Sequence, residues 1–261
     1  MRIAVNIALR ETEGSRMATL RWWVTMMSRI GVLLMLAACA AGPGVFTSEG
    51  SGPAVEAPAY RVGDRWVYHG SEGFRVKTEW EETHEVTAIG PEGITVRITQ
   101  RGPAPMDATR TEVFTAPGQM KIGAAYVNET RRFSVPLQLY NFPLAAGQVW
   151  NQWVGTYNDM TRENGELNRY VRVAGWDKVS TPAGSFDALR LEVLMRLDDE
   201  TFWRWPTTCN YAVWYAPAAN AVVRENHNSQ YVEKSSDAHG GAGTIRTEYG
   251  MLELVSFTAG R

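Results

Sequence analysis

Residues 187–197 read DALRLEVLMRL. Leu189, Leu191 and Val193 fall at every second position, with Arg190 and Glu192 between them. A period of two sends successive side chains to opposite faces of a strand, whereas a helix repeats its apolar positions every three or four residues. The segment therefore predicts a half-buried β-strand. The same alternation recurs outward in both directions. GPEGITVRITQRG (90–102) directs Ile94, Val96 and Ile98 to one face, and NRYVRVAGW (168–176) offers Val171 and Val173. GMLELVSF (250–257) sets Leu252 and Leu254 against Met251, Val255 and Phe257. Long helical patterns are absent. The pair Asn164–Gly165 predicts a hairpin turn, because both residues tolerate positive φ. Roughly nine to eleven strands are expected. Strands with one polar and one apolar face must curl around a core or be covered by a second layer. The expected fold is therefore mainly β, an antiparallel sheet curled as an open half-barrel or a two-layer β-sandwich-like domain over residues 60–258.

Two phrases resemble each other. YRVGDRWVYHG (60–70) and FPLAAGQVWNQWVG (142–155) each carry a glycine, a polar residue, any residue and then tryptophan. In both, a turn glycine launches a strand whose early tryptophan can seal a sheet edge, so they suggest two halves of similar construction.

The start of the chain carries an address. SRIGVLLMLAACAAG (28–42) has an apolar run of twelve residues, Ile30 to Ala41, behind Arg21 and Arg29. A spanning helix needs about 20, whereas a positive region, a short apolar core and small residues before a cut describe an export signal. LAAC, Leu36 to Cys39, resembles the lipobox of bacterial lipoprotein precursors. That resemblance implies cleavage after residue 38, diacylglycerol on the Cys39 thiol, acylation of the new amino group, and anchoring in the lipid bilayer. Ala40, in place of the aspartate common in lipoproteins held at the inner membrane, implies the outer membrane of a Gram-negative cell, on its periplasmic side. Residues 1–38 are thus expected to be a signal peptide. Met17, Met26 or Met27 would be a more orthodox start, since Glu11 and Glu13 sit badly in such a peptide. Residues 39–59, rich in Gly, Pro, Ser and Ala, read as the lipidated N-terminus and a flexible tether.

Removing residues 1–38 takes five of the 26 Lys and Arg and two of the 28 Asp and Glu, leaving 21 against 26, net −5. No basic block remains, so nucleic acid is not an expected partner. Cys209 is the single cysteine besides Cys39, so no intrachain disulfide is expected once Cys39 is lipidated.

VSTPAGSFDALRLE (179–192) and WYAPAANAVVRE (214–225) together resemble the domain-of-unknown-function families of bacterial exported proteins related to DUF3108. The resemblance spans about residues 60–225 and rests on turns: Pro182 and Gly184 make one, and Asn220 stands where a turn glycine is usual, a swap that its access to the left-handed region permits. It implies a fold and a compartment and carries no reaction.

Residues that could do chemistry are sparse. EWEETHE (79–85) places Trp80, Glu82, His84 and Val86 on one strand face. A Glu82/His84 acid–base or metal pair is conceivable there, but a solvated edge strand is the plainer expectation. His227 and His239 lie in a polar run that reads as loop. Neither an HExxH pair nor a G-x-S-x-G elbow occurs, and no cofactor or metal is implied. The aromatic stretch FWRWPTTCNYAVWYAP (202–217) supplies the candidate binding residues: Trp203, Trp205, Tyr211, Trp214 and Tyr215. Either two layers cover this hairpin, or one of its faces lines a groove for an apolar ligand. Cys209 is expected to be a small buried hydrophobe. Three function classes follow: a noncatalytic envelope lipoprotein binding an apolar ligand or an envelope protein, a structural or assembly subunit, and an envelope hydrolase.

Overall fold

The computed structural model describes residues 52–104, 107–126, 128–199, 203–234 and 243–261. The expected signal peptide, the lipidation at Cys39 and most of the tether lie outside the described residues.

Twelve strands follow one another: β1 (Arg65–Glu72), β2 (Thr78–Gly90), β3 (Gly93–Arg101), β4 (Ala108–Ala116), β5 (Gln119–Ala124), β6 (Thr130–Gln138), β7 (Val149–Asn158), β8 (Glu163–Thr181), β9 (Gly184–Asp199), β10 (Thr207–Ala216), β11 (Ala221–Val232) and β12 (Ile245–Thr258). Each pairs antiparallel with the next, and β1 also pairs with β12, from Arg65↔Thr258 to Glu72↔Gly250. The sheet is a closed barrel. This overturns the expected open half-barrel or sandwich. Alternation tells which face of a strand is buried; it does not tell which strands pair, and closure rests on one pairing between the first strand and the last. Closing the sheet satisfies both edges at once.

The ladder is uneven around the circumference. β8 and β9 align over sixteen residue pairs, whereas β6 and β7 align over three, Arg131↔Asn158 to Phe133↔Thr156. Beyond Phe133 side chains replace the ladder. Gly155 N–H donates to Ser134 Oγ (3.1 Å), Gln138 N–H to Gln152 Oε1 (2.8 Å), and Gln152 Nε2 to the Pro136 carbonyl (3.0 Å). Pro136 has no N–H to give a neighbour, which suits it to such a seam.

Antiparallel order puts the start of β1, the end of β12 and the β2–β3, β4–β5, β6–β7, β8–β9 and β10–β11 connections at one pole. That pole is filled. Val55 and Leu144 exchange both backbone hydrogen bonds (2.8 Å each) and pack with Trp150, Val171, Leu189 and Tyr215. Asp64 fastens the ends there, accepting Gly260 N–H on Oδ1 and Arg61 N–H on Oδ2, both at 2.7 Å.

The two similar phrases open β1 and β7, the first and seventh strands, with one local geometry. Gly63 and Gly147 have φ of +90° and +84°. Gly63 N–H donates to Val86 O and Gly147 N–H to Val173 O, each at 2.8 Å, and the return bonds, Val86 N to Asp64 O and Val173 N to Gln148 O, are both 2.9 Å. Gln148 Oε1 accepts Ala145 N–H (3.2 Å), as Asp64 Oδ2 accepts that of Arg61. The tryptophans that follow are buried and donate their indole N–H to carbonyls, Trp66 to Ala219 (2.8 Å) and Trp150 to Gln138 (3.1 Å).

The turn expected at Asn164–Gly165 lies elsewhere. Both residues sit within β8, opposite Tyr157 and Thr156, and the connection is residues 159–162. Asn158 sets it, its Oδ1 accepting the N–H groups of Met160 (3.0 Å) and Thr161 (3.3 Å). At Gly165 the glycine serves packing: a Cβ there would come 2.6 Å from Asp199 Oδ1.

Candidate functional site

The barrel encloses a cavity of about 720 Å³. Its walls differ. On β8 to β10 the cavity is lined by Met195, Val213, Tyr211, Tyr215 and Arg169, and Val171, Leu191 and Val193 are buried in the packed core beside it. On β2 to β4 the lining is half polar, with Trp80, Glu82, His84, Gln100, Arg110 and Glu112, and half apolar, with Val86, Ile94, Ile98 and Phe114.

These polar groups satisfy one another. His84 Nε2 donates to Glu82 Oε1 (2.6 Å), and Arg110 donates to Glu82 Oε1 (3.3 Å), Glu112 Oε1 (3.1 Å) and Asn128 Oδ1 (2.9 Å). Burial alone would raise the Glu82 pKa, but the hydrogen bond from His84 and the charges of His84 and Arg110 outweigh it and hold the carboxyl down at about 2. Glu82 therefore stays ionised near neutrality and is unsuited to giving up a proton there. β2 pairs on both sides, with β1 and β3, so EWEETHE is no edge strand. Its outward glutamates face solvent and its inward pair faces the cavity. Trp80 lies flat against the backbone of β1, where a Cβ on Gly70 would collide with the indole.

His227 is also inside. It sits on β11 over Gly250 of β12, and its ring lies 5.5 Å from that of Tyr211. Burial lowers its pKa, yet the Glu225 carboxylate 3.7 Å away, with Glu72 and Glu248, raises it overall. His239 lies outside the described residues. Among the described residues no cluster of His, Cys, Asp or Glu is arranged to hold a metal ion.

At the opposite pole, where the β1–β2, β3–β4, β5–β6, β7–β8, β9–β10 and β11–β12 connections gather, the cavity reaches Glu72, Ala108 and Met160, and among the described residues this end is its mouth. Exposed apolar side chains stand on these connections: Phe74, Val76, Met160, Trp203, Trp205 and, at the start of β12, Ile245. A buried charge cluster braces the mouth. Arg131 Nη2 donates to Glu129 Oε2 and Asp199 Oδ2 (2.6 Å each), and Arg204 Nη2 donates to Asp199 Oδ2 (2.8 Å).

No protein-family model matches the chain, and no curated protein matches it. The DUF3108 resemblance is thus carried by the turn motifs alone. Among solved structures, the chain is similar to a candidate lipoprotein from Parabacteroides distasonis and to a candidate exported protein with a YmcC-like fold from Bacteroides fragilis. Each is 14% identical with a TM-score of 0.46, over 79% of this chain and 100% of the other. It is also similar to the hypothetical lipoprotein YmcC of Escherichia coli, 10% identical with a TM-score of 0.37, over 78% of this chain and 92% of that one.

The five aromatic candidates do not form one site. Tyr211 and Tyr215 line the cavity from β10. Trp214, one residue out of phase, points outward and donates its indole N–H to Asp177 Oδ2 (2.8 Å). Trp203 and Trp205 precede β10 and belong to no strand. Trp203 lies against the Arg204 guanidinium, 4.8 Å from ring centre to Cζ, and Trp205 packs under Lys234 at 5.0 Å. Cys209 is buried, and burial pushes its thiol up to about 12. Arg169 was hidden in NRYVRV, where only the valines announce the inward face. The period of two that marks Val171 and Val173 marks Arg169 as well, and a cation on an apolar face was the available signal.

Proposed function

We propose that this chain is a noncatalytic lipoprotein of the bacterial envelope whose barrel holds an apolar or amphipathic ligand in its interior. The observation that carries the reading is the cavity of about 720 Å³, closed at one pole, mostly apolar on one wall and half polar on the other. Ligand sites of a few hundred Å³ with convergent polar groups in an apolar lining are the usual form of a small-molecule pocket. The lipobox LAAC supports anchoring through Cys39, and Ala40 supports the outer membrane, facing the periplasm. The site residues proposed are Tyr211 and Tyr215, with Trp80 and His227 opposite.

Native mass spectrometry of the purified chain tests the ligand. A reproducible lipid-sized adduct, lost on narrowing the cavity with Val213→Trp, is expected; a clean apo mass from protein taken out of its own envelope overturns the reading. Cys39→Ser tests the anchor and should release the protein into soluble fractions. A second reading, a subunit of an envelope assembly, draws on the apolar side chains around the mouth. It predicts a crosslinked partner through Trp203 or Trp205 and no small ligand.

A further inference from the structure

Most charges inside the barrel pair off; among the described cavity-lining residues Glu72 and Arg169 form no ion pair. Glu82 and Glu112 share Arg110, Glu129 meets Arg131, and Glu225 stands 3.7 Å from His227. Arg169 has no such partner. It sits on β8 between Leu167 and Val171, on the apolar wall, and is 7% exposed. Its Nη1 donates to the carbonyls of Gln138 (2.8 Å) and Leu139 (3.0 Å), and among the described residues no carboxylate forms an ion pair with it. Nε and Nη2 therefore donate to no described side chain or carbonyl, although Arg169 lines the cavity.

A guanidinium without a counter-ion in an apolar wall is costly to keep there, since a buried charge needs pairing. Two carbonyls accept from a single nitrogen, a task that a neutral amide could also perform. The rest of the fork is left for something absent from the protein itself. Tyr140 lies close enough to feel the Arg169 charge, lines the same cavity, and its hydroxyl has no partner among the described residues. Arg169 lies level with Met195 and Cys209, with Val171 and Val193 on its side towards the filled pole and Leu167 and Leu197 towards the opposite pole, and both its free donors and the Tyr140 hydroxyl belong to residues that line the cavity.

We propose that Arg169, assisted by the Tyr140 hydroxyl, binds the anionic head of a long-chain amphiphile, a carboxylate or phosphate whose chain lies against the apolar lining of the cavity, among Ile98, Met120, Leu137 and Met195. The proposal rests on the ligand-binding reading above and names the ligand class. Guanidinium suits both head groups because its planar donors match two oxygens at once.

Calorimetric titration of the purified full chain with dodecanoate, dodecyl phosphate, dodecanol and inorganic phosphate tests it. At least one of the two charged amphiphiles should bind about tenfold or more tightly than dodecanol, the discrimination expected of a charge-assisted hydrogen bond in a dry site. Arg169→Gln should bring the charged and neutral chains to within about twofold of each other with dodecanol affinity unchanged, and Arg169→Lys should restore much of the preference. Tyr140→Phe, which removes a single oxygen, should weaken the charged amphiphile alone and serves if Arg169→Gln does not fold. Whichever charged head binds more tightly separates a fatty-acid-like ligand from a phospholipid-like one. Equal affinity of dodecanoate, dodecyl phosphate and dodecanol for the unaltered protein, or a preference that survives Arg169→Gln, overturns the inference while leaving the cavity reading intact. Inorganic phosphate binding as tightly as dodecyl phosphate overturns the chain requirement. If none of the three chain compounds binds, the cavity reading itself falls.

Discussion

The wall formed by β8 to β10 and the wall formed by β2 to β4 solve one problem by different means. The first holds its shape by apolar packing along long ladders, sixteen pairs between β8 and β9. The second holds it by charge, with Glu82, His84, Arg110 and Glu112 bound to one another inside the barrel. Packing is non-directional and tolerates any occupant of similar shape, whereas a hydrogen-bonded cluster fixes the orientation of each member. The apolar side chains that line the cavity, Met195 and Val213 among them, can therefore accept a chain, and the charged cluster offers few unpaired groups to compete for its head.

The largest effect should come from breaking the apolar wall. Leu191 is fully buried between β8 and β10, and Leu191→Ala should cost about 2–5 kcal/mol in urea unfolding, the usual range for a leucine cavity. A loss under about 1 kcal/mol would mean that the wall is loosely packed and the comparison wrong.

Breaking the charged wall should cost somewhat less and depend on pH. The folded-state pKa of Glu82, about 2, lies below its ordinary value of 4.5. Its stabilisation is thus complete above about pH 4.5 and fades as pH falls towards 2, amounting to about 3 kcal/mol near neutrality. Glu82→Gln should lower stability at pH 7 by that order and flatten its decline between pH 5 and 3. Parallel pH profiles for the two proteins would assign the acid sensitivity elsewhere.

A smaller effect belongs to the seam where the apolar wall meets β6. Gln152→Ala leaves the Gln138 N–H without its acceptor and should cost about 1–3 kcal/mol. Hydrogen exchange should quicken at Gln138 and hardly change in the β8–β9 ladder. Equal acceleration in both would show that the barrel opens as one unit.

The smallest effect should be that of His227, which faces Glu225, Glu72 and Glu248. Its folded pKa is raised, so its contribution is complete below about pH 6.5 and disappears as pH rises through the higher folded value. The stability gap between the protein and His227→Asn should narrow from pH 6 to pH 9. A gap that widens over that range would mean that the histidine is buried neutral.

What could be read from the sequence follows the same division. Apolar alternation in residues 187–197 gave away β9 because burial on one face leaves a period of two. The paired glycine–tryptophan phrases were legible as well, since a positive φ and an early buried indole need those residues. Asn220 takes the left-handed conformation its motif calls for, with φ of +50°. The charged wall was misread because acids and a histidine in a strand look solvated until the strand is known to have neighbours on both sides. The neighbours of β2 are β1 and β3, and the face it turns inward becomes an interior because β1 meets β12, a non-local pairing with no local mark. Among the five aromatics the sequence could not separate an inward Tyr211 and Tyr215 from an outward Trp214, since neither face of β10 is polar enough to betray the other.

Asp64 holds Arg61 and Gly260 with one carboxylate, so the two ends of the barrel sequence meet at the filled pole. A pull on the chain at Pro53 reaches the Val55–Leu144 bridge and the Asp64 clasp before it reaches any strand. The exposed apolar side chains of the opposite pole stand at the far end of the strands from that clasp.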